Sequence, residues 1–169
     1  EAVAKKQGKQ VVAKTNAEID LKLEAYLPDA YINDQRQKIE IYKRIRQMDS
    51  EAAFDEIQAD LIDRFGDYPD QVANLLAIGQ LKMNADDALI ETIKQTKEII
   101  QVTLSAKGSR LVSGEQIFEA LSTTRLKATV GFEQEQLSVK LVIQPKMQPA
   151  DWLSEVATFV TSLLKIEQK

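Results

Sequence analysis

The chain predicts an α+β fold: an antiparallel sheet built from hairpins, with about five helices packed on one side or end. Three observations lead there. Apolar residues recur at intervals of three and four from Asp34 to Ala85, the period changes to two in paired runs between Ile90 and Ile143, and helical spacing returns from Pro149. Strands clustered in hairpins pair antiparallel, which leaves the helices to cover one face or end of the sheet.

The elements follow in order. A short helical fragment around Ala2 to Lys6, then Gly8 and Lys14-Thr15-Asn16, reads as the tail of a preceding module and a linker over residues 1–17. Ile19, Leu21 and Leu23 alternate with Asp20, Lys22 and Glu24 as a half-buried strand, which Tyr26-Leu27-Pro28 ends. Asp34, with Gln37 three positions on, caps a helix whose apolar face takes Ile39, Ile41, Tyr42, Ile45 and Met48. Asp49-Ser50 caps a second, striped by Phe54, Ile57, Leu61 and Phe65; Gly66 supplies the left-handed residue that closes it. Pro69 opens a third, on which Val72, Leu75, Leu76 and Gly79 share a face, and Gly79 lets a neighbour approach closely.

Ile90 to Ile93 then pairs with Ile100, Val102 and Leu104 across a turn near Gln95 and Thr96. Ser113-Gly114-Glu115-Gln116 is a capping box for a short helix lined by Ile117, Phe118 and Leu121. A second hairpin joins Leu126 to Phe132 with Leu137 to Ile143 through Glu133 to Gln136, and Pro149 starts a last helix carrying Trp152, Val156, Phe159, Leu163 and Ile166.

Composition narrows the chemistry. The 169 residues suit one domain of ordinary size, rich enough in apolar residues to bury a core. Neither cysteine nor histidine occurs, which removes thiolate and imidazole metal ligands, disulfides, the triad base and the usual proton shuttle. No run reaches the roughly 18 to 20 apolar residues of a membrane span, and the N-terminus lacks a signal-peptide core, so a cytoplasmic location with no membrane partner is expected. The start at Glu1 suggests a processed chain or a piece of a longer protein. Charge is uneven: residues 1–48 hold ten Lys/Arg against seven Asp/Glu, residues 49–93 two against eleven, and residues 94–169 ten against eight, giving +3, −9 and +2 and a net −4. An acidic middle is unsuited to gripping phosphates alone and suits a basic protein surface, or is simply the solvated side of two helices.

Catalytic signatures are scarce. There is no phosphate loop and no dinucleotide fingerprint, and the sequence assigns no cofactor, metal or catalytic residue. Lys107-Gly108-Ser109-Arg110 reads as a basic turn between elements, ordinary unless its backbone donors hold a phosphate. Asp60 with Asp63, and Asp86 with Asp87, are carboxylate pairs; Asp60 stands one turn before Arg64, an ordinary ion pair of helix spacing. Trp152 falls on an apolar stripe and reads as core rather than a stacking platform. Asp60, Asp63 and Arg64, by contrast, cluster roughly 110° around their helix from the buried stripe, as a compact charged patch that the fold can leave exposed.

Three stretches together resemble the C-terminal domain of bacterial transcription-repair coupling factor, the Mfd translocase family. They are Glu24-Ala25-Tyr26-Leu27-Pro28-Asp29-Ala30-Tyr31-Ile32 with the helix bearing Ile41-Tyr42-Lys43-Arg44; Leu61-Ile62-Asp63-Arg64-Phe65-Gly66 with Pro69, Val72, Asn74, Leu75 and Leu76; and Glu1-Ala2-Val3-Ala4, which looks like the end of the preceding translocation module. The motif-bearing part covers residues 18–82. The resemblance implies a parent that is an ATP-driven double-stranded DNA translocase, displacing stalled RNA polymerase and recruiting UvrA for DNA repair. Within it, residues 18–169 would be a non-catalytic, autoinhibitory C-terminal domain that docks on the UvrA-binding module of the same chain. The family's docking contacts transfer to Asp60, Asp63 and Arg64, with aspartate at 60 where relatives often carry glutamate.

Two other functions stay in view. An accessory nucleic-acid-binding domain of the same translocase would show salt-dependent affinity for duplex DNA. A small carboxylate-based enzyme would need a deep pocket holding acids of shifted pKa.

Overall fold

A computed structural model describes residues 14–167 of the chain. The helical fragment and module tail read from Ala2 to Lys6, including Glu1 to Ala4, lie outside the described residues.

The helices form where the caps and stripes place them. Asp34 accepts a hydrogen bond from the Arg36 N–H and starts α1 (Gln35–Arg46); the Ser50 side chain accepts from Ala53 N–H and starts α2 (Glu51–Phe65). Pro69 precedes α3 (Asp70–Asp87). A reciprocal capping box between Ser113 and Gln116 opens α5 (Gly114–Leu121), and α6 runs Pro149–Glu167. The element not foreseen is α4 (Ala106–Leu111), which occupies the stretch read as a basic turn and makes six described helices. Lys107 to Arg110 is helical with Ser105 as its cap, and Gly108 packs closely on the turn that follows α3, where a Cβ would sit 2.8 Å from the Leu89 carbonyl oxygen.

Five strands make one sheet in the order β1-β2-β3-β5-β4. Two hairpins form most of it: β2 (Ile90–Thr96) with β3 (Ile99–Leu104), and β4 (Lys127–Glu133) with β5 (Gln136–Val142). Its remaining member, β1 (Glu18–Asp20), lies parallel to β2 with Ile19 beside Ile93, so the sheet is mostly antiparallel. The first turn falls at Lys97 and Glu98 rather than at Gln95 and Thr96: Lys97 takes a φ of 57°, and the Gln95 amide donates to the Lys97 carbonyl. The strand of residues 19–23 stops pairing at Asp20, although Leu21 and Leu23 still pack on the core.

Side-chain alternation gives the sheet one dry face and one wet one. Ile93, Ile100, Val102, Val139 and Leu141 are fully buried under the helices, while Gln101, Thr103, Thr129, Ser138 and Lys140 line an open polar hollow behind them. α6 seals the dry face with Trp152, Val156, Phe159 and Leu163; the Ile166 side chain lies outside the described ones. A second core forms among α1, α2 and α3, from Leu27, Ile32, Ile41, Ile45, Ile57, Leu61, Val72, Leu76 and Met83. α3 serves both, since Leu81 and Ala85 on it join the sheet core.

Gly79 sits where α3 crosses α1, and a Cβ on it would meet Ile45 Cγ2 at 2.6 Å. Two residues assigned to apolar faces point to water instead. Ile39 is about 200° around α1 from Ile41, and Phe118 stands about 100° off Ile117, so neither reaches the core side. Every buried side-chain nitrogen and oxygen among the described residues has a hydrogen-bond partner. No helix of the described residues is long and apolar enough to cross a membrane.

Candidate docking site

The site grows from the C-terminal half of α2. Burying Ile57 and Leu61 fixes the rotation of that helix and turns Asp60 and Arg64 along the flank nearest α1, with Asp63 outward. Asp60 and Arg64 pair at 3.3 Å, the expected one-turn spacing. The neighbouring helix adds what the sequence reading left out: Arg44 Nη1 donates to Asp60 Oδ2 at 2.6 Å, and Arg64 Nη1 reaches Glu40 Oε1 at 3.2 Å. Glu40 and Arg44 are themselves one turn apart on α1. That spacing was the available signal, but nothing local says which helix their charges face.

Arg44, Asp60, Arg64 and Glu40 therefore form a chain of alternating charge across the α1–α2 seam. The Arg44 hydrogen bond, with Arg64 adding to it, holds the Asp60 carboxyl below its ordinary pKa, and Glu40 followed by Asp60 raises that of Arg64. Asp60 and Arg64 side chains keep about a third of their surface, 33% and 31%. Asp63 stands beside them, exposed, with no hydrogen bond or ion pair among the described residues. The three expected residues are thus contiguous and reachable by solvent.

The turn that ends α2 is held just as firmly. Gly66 has φ 86° and ψ −172°: it supplies the left-handed φ expected of it, with the extended ψ of the region open to glycine. The Tyr31 hydroxyl donates to the Gly66 carbonyl at 2.7 Å, its ring lies 5.8 Å from that of Phe65, and the Arg64 guanidinium carbon sits 5.1 Å over the other ring of that pair, Phe65. Burial raises the Tyr31 pKa, helped by Tyr68 and Asp67, so it stays a neutral donor. Two motif stretches distant in sequence, 24–32 and 61–66, are thereby one structural unit.

The other candidates resolve into scaffold. Asp86 accepts from the Ala17 N–H at 2.7 Å and pairs with Lys82, and Asp87 pairs with Lys14, so this carboxylate pair ties residues 14–17 to α3. Trp152 is 4% exposed, and Gly108 is packed on Leu89. No group of three or more acidic side chains among the described residues converges to hold a metal ion.

Comparison with known proteins places the whole chain in a family. The TRCF domain family matches residues 21–113. Transcription-repair-coupling factor of Bacillus subtilis is 35% identical over 173 aligned positions covering 100% of this chain, and that of Staphylococcus aureus 38% identical over 85% of it. The chain spans only 14% and 12% of those proteins. A crystal structure of a C-terminal domain of transcription-repair coupling factor superposes with a TM-score of 0.88 at 40% identity, covering 94% of this chain and 98% of that one. The chain belongs to the transcription-repair coupling factor family, and its fold is that of the family's C-terminal domain.

Proposed function

We propose that this chain is the non-catalytic regulatory domain of an ATP-dependent DNA translocase of transcription-coupled repair, and that it docks on the UvrA-binding module of its own parent. In the docked state it restrains ATPase and translocation and hides the UvrA site. Double-stranded DNA, RNA polymerase and UvrA engage the parent, in the bacterial cytoplasm.

The observation that carries this reading is the prearranged charge at the end of α2. Asp60 and Arg64 are already ordered by Arg44 and Glu40, so a partner surface meets them without freezing loose side chains. Asp63 adds an exposed carboxylate beside them. Contacts of this kind contribute roughly 0.2–1 kcal/mol each, so a few can hold a closed state that other partners still open. Hydrogen bonds hold the Asp60 and Glu155 carboxyls below their ordinary pKa, the opposite of a buried acid poised for proton transfer.

The test is made in the parent protein. Removing this domain, and separately Arg64→Ala or Asp63→Ala, should raise basal ATPase and UvrA binding, the deletion fully and the substitutions partly. If the deletion changes neither, the restraint is refuted; affinity of the domain for duplex DNA that falls steeply with salt would favour the nucleic-acid-binding alternative instead.

A further inference from the structure

The two edges of the sheet differ. β1 offers three residues, too short a template to matter, whereas β4 offers seven, Lys127 to Glu133, with no proline and nothing beyond it in the sheet order. The outward backbone of β4 can be assigned. Ile143 N–H donates to Glu98 O, so the odd-numbered residues of β5 bond toward β3 and the even ones toward β4. Through the register Val130↔Val139 and Thr129↔Lys140, the odd residues of β4 then bond β5, and the N–H and C=O groups of Ala128, Val130 and Phe132 face solvent.

The same three side chains lie on the dry side of the sheet, because their cross-strand neighbours are Leu141, Val139 and Leu137. Past the cover of α5, however, Val130 is 50% exposed, Phe132 63% and Phe118 77%. A small apolar groove of about 190 Å³ between α5 and Val130 continues this surface. Bare backbone donors and acceptors and an apolar strip therefore coincide.

We infer that β4 is a self-association edge, pairing antiparallel with β4 of a second copy of this chain about a two-fold axis at Val130. The sequence of the strand is complementary to its own reverse. With Val130 opposite Val130 of the second copy, Ala128 faces Phe132, and Lys127 faces Glu133 at both ends. Val130 is then a hydrogen-bonded pair, which makes Lys127 and Glu133 a non-hydrogen-bonded pair, the kind whose side chains stand closest. A shift by one residue would lose both ion pairs and the apolar match together. Lys127 and Glu133 protect the edge against strands of other charge pattern, yet admit a copy of itself. A seven-residue strand with a few apolar side chains makes a small interface, so the dimer is weak and concentration-dependent.

Sedimentation equilibrium of this 169-residue chain, from about 10 µM to about 1 mM to span a small interface, reads the association directly. The average mass should climb toward twice that of the monomer. Val130→Lys, which sets two ammonium groups on the axis, should keep the chain monomeric throughout. Lys127→Glu and Glu133→Lys should each weaken association roughly tenfold, and the double reversal Lys127→Glu/Glu133→Lys should restore it. All three positions are exposed, so thermal melts should match the unmodified chain. A chain that stays monomeric over the whole range overturns the inference, and so does a double reversal that fails to recover what the single ones lose.

Discussion

The helical half and the sheet half of this domain are held by different forces. Around α1, α2 and α3, a modest apolar core is stitched by specific polar links: Tyr42 takes the Leu27 N–H, Tyr31 donates to Leu61 and Gly66, Gln58 donates to Tyr68, and the Arg44–Asp60–Arg64–Glu40 chain binds the outside. The sheet half relies on backbone ladders and a larger dry core sealed by α6, with Glu155 as its chief polar clamp on Thr124 and Arg125. What the contrast teaches is where function has room. Directional links fix side chains in place at the surface, so the helical half can present an ordered charged patch; nondirectional burial leaves the rim of the sheet apolar and bare.

The largest effect should come from breaking the dry core. Phe159→Ala removes a fully buried ring and should cost about 3–5 kcal/mol in denaturant unfolding. Because α3 belongs to both cores, Trp152 fluorescence and far-UV circular dichroism should still report one coincident transition. Separate transitions would show the halves to be independent.

Gly66→Ala tests the helical half through its backbone. A Cβ there meets no atom within 4 Å, so the cost, about 1–3 kcal/mol, is conformational alone. Gly79→Ala makes the opposite comparison: it gains about 1 kcal/mol of helix propensity but drives a methyl into Ile45, and net destabilisation is expected. An unchanged melting point would mean that α1 moves away freely.

Acid acts on both halves, through Glu155 beside the sheet and Asp60 on the helical side, whose pKa values are both depressed. The Arg125 N–H, with the Arg125 and Thr124 side chains, lowers that of Glu155, and the two arginines lower that of Asp60. Both are ionised in the native state at a pH where the unfolded chain already binds protons. Their contribution is therefore complete above the unfolded values of 4.5 and 3.8 and is lost as pH falls through the lower folded values. Glu155→Gln should cost about 1–3 kcal/mol at neutral pH and flatten the acid limb of the stability curve. Asp60→Asn should do the same more weakly, under about 1 kcal/mol, because its ion pairs stand at the surface. A larger loss for Asp60 would make its network structural rather than available for docking.

Much of this architecture was legible in the sequence because caps and periods are local. Asp34, Ser50, Pro69 and Ser113 mark helix starts through hydrogen bonds or ring geometry that reach no farther than three residues. The Gln134-Glu135 turn, with φ of 52° and 66°, was bracketed by clean alternation on both sides. The Lys107 to Arg110 helix was not legible, since its glycine answers to Leu89 across space rather than to its neighbours. Half of the candidate site was likewise hidden: Asp60 and Arg64 announce each other by spacing, but Arg44 and Glu40 join them only once α1 lies beside α2.

Spacing along single segments was enough to place the five longer helices, the two hairpins and the exposed flank carrying Asp60, Asp63 and Arg64, while the six-residue α4 escaped it. Contacts between distant segments settled that β1 runs parallel beside β2, that Ile39 and Phe118 face water, and that β4 ends the sheet. Those outcomes depend on which distant surfaces meet, and burial energy has no direction until the partners are in place.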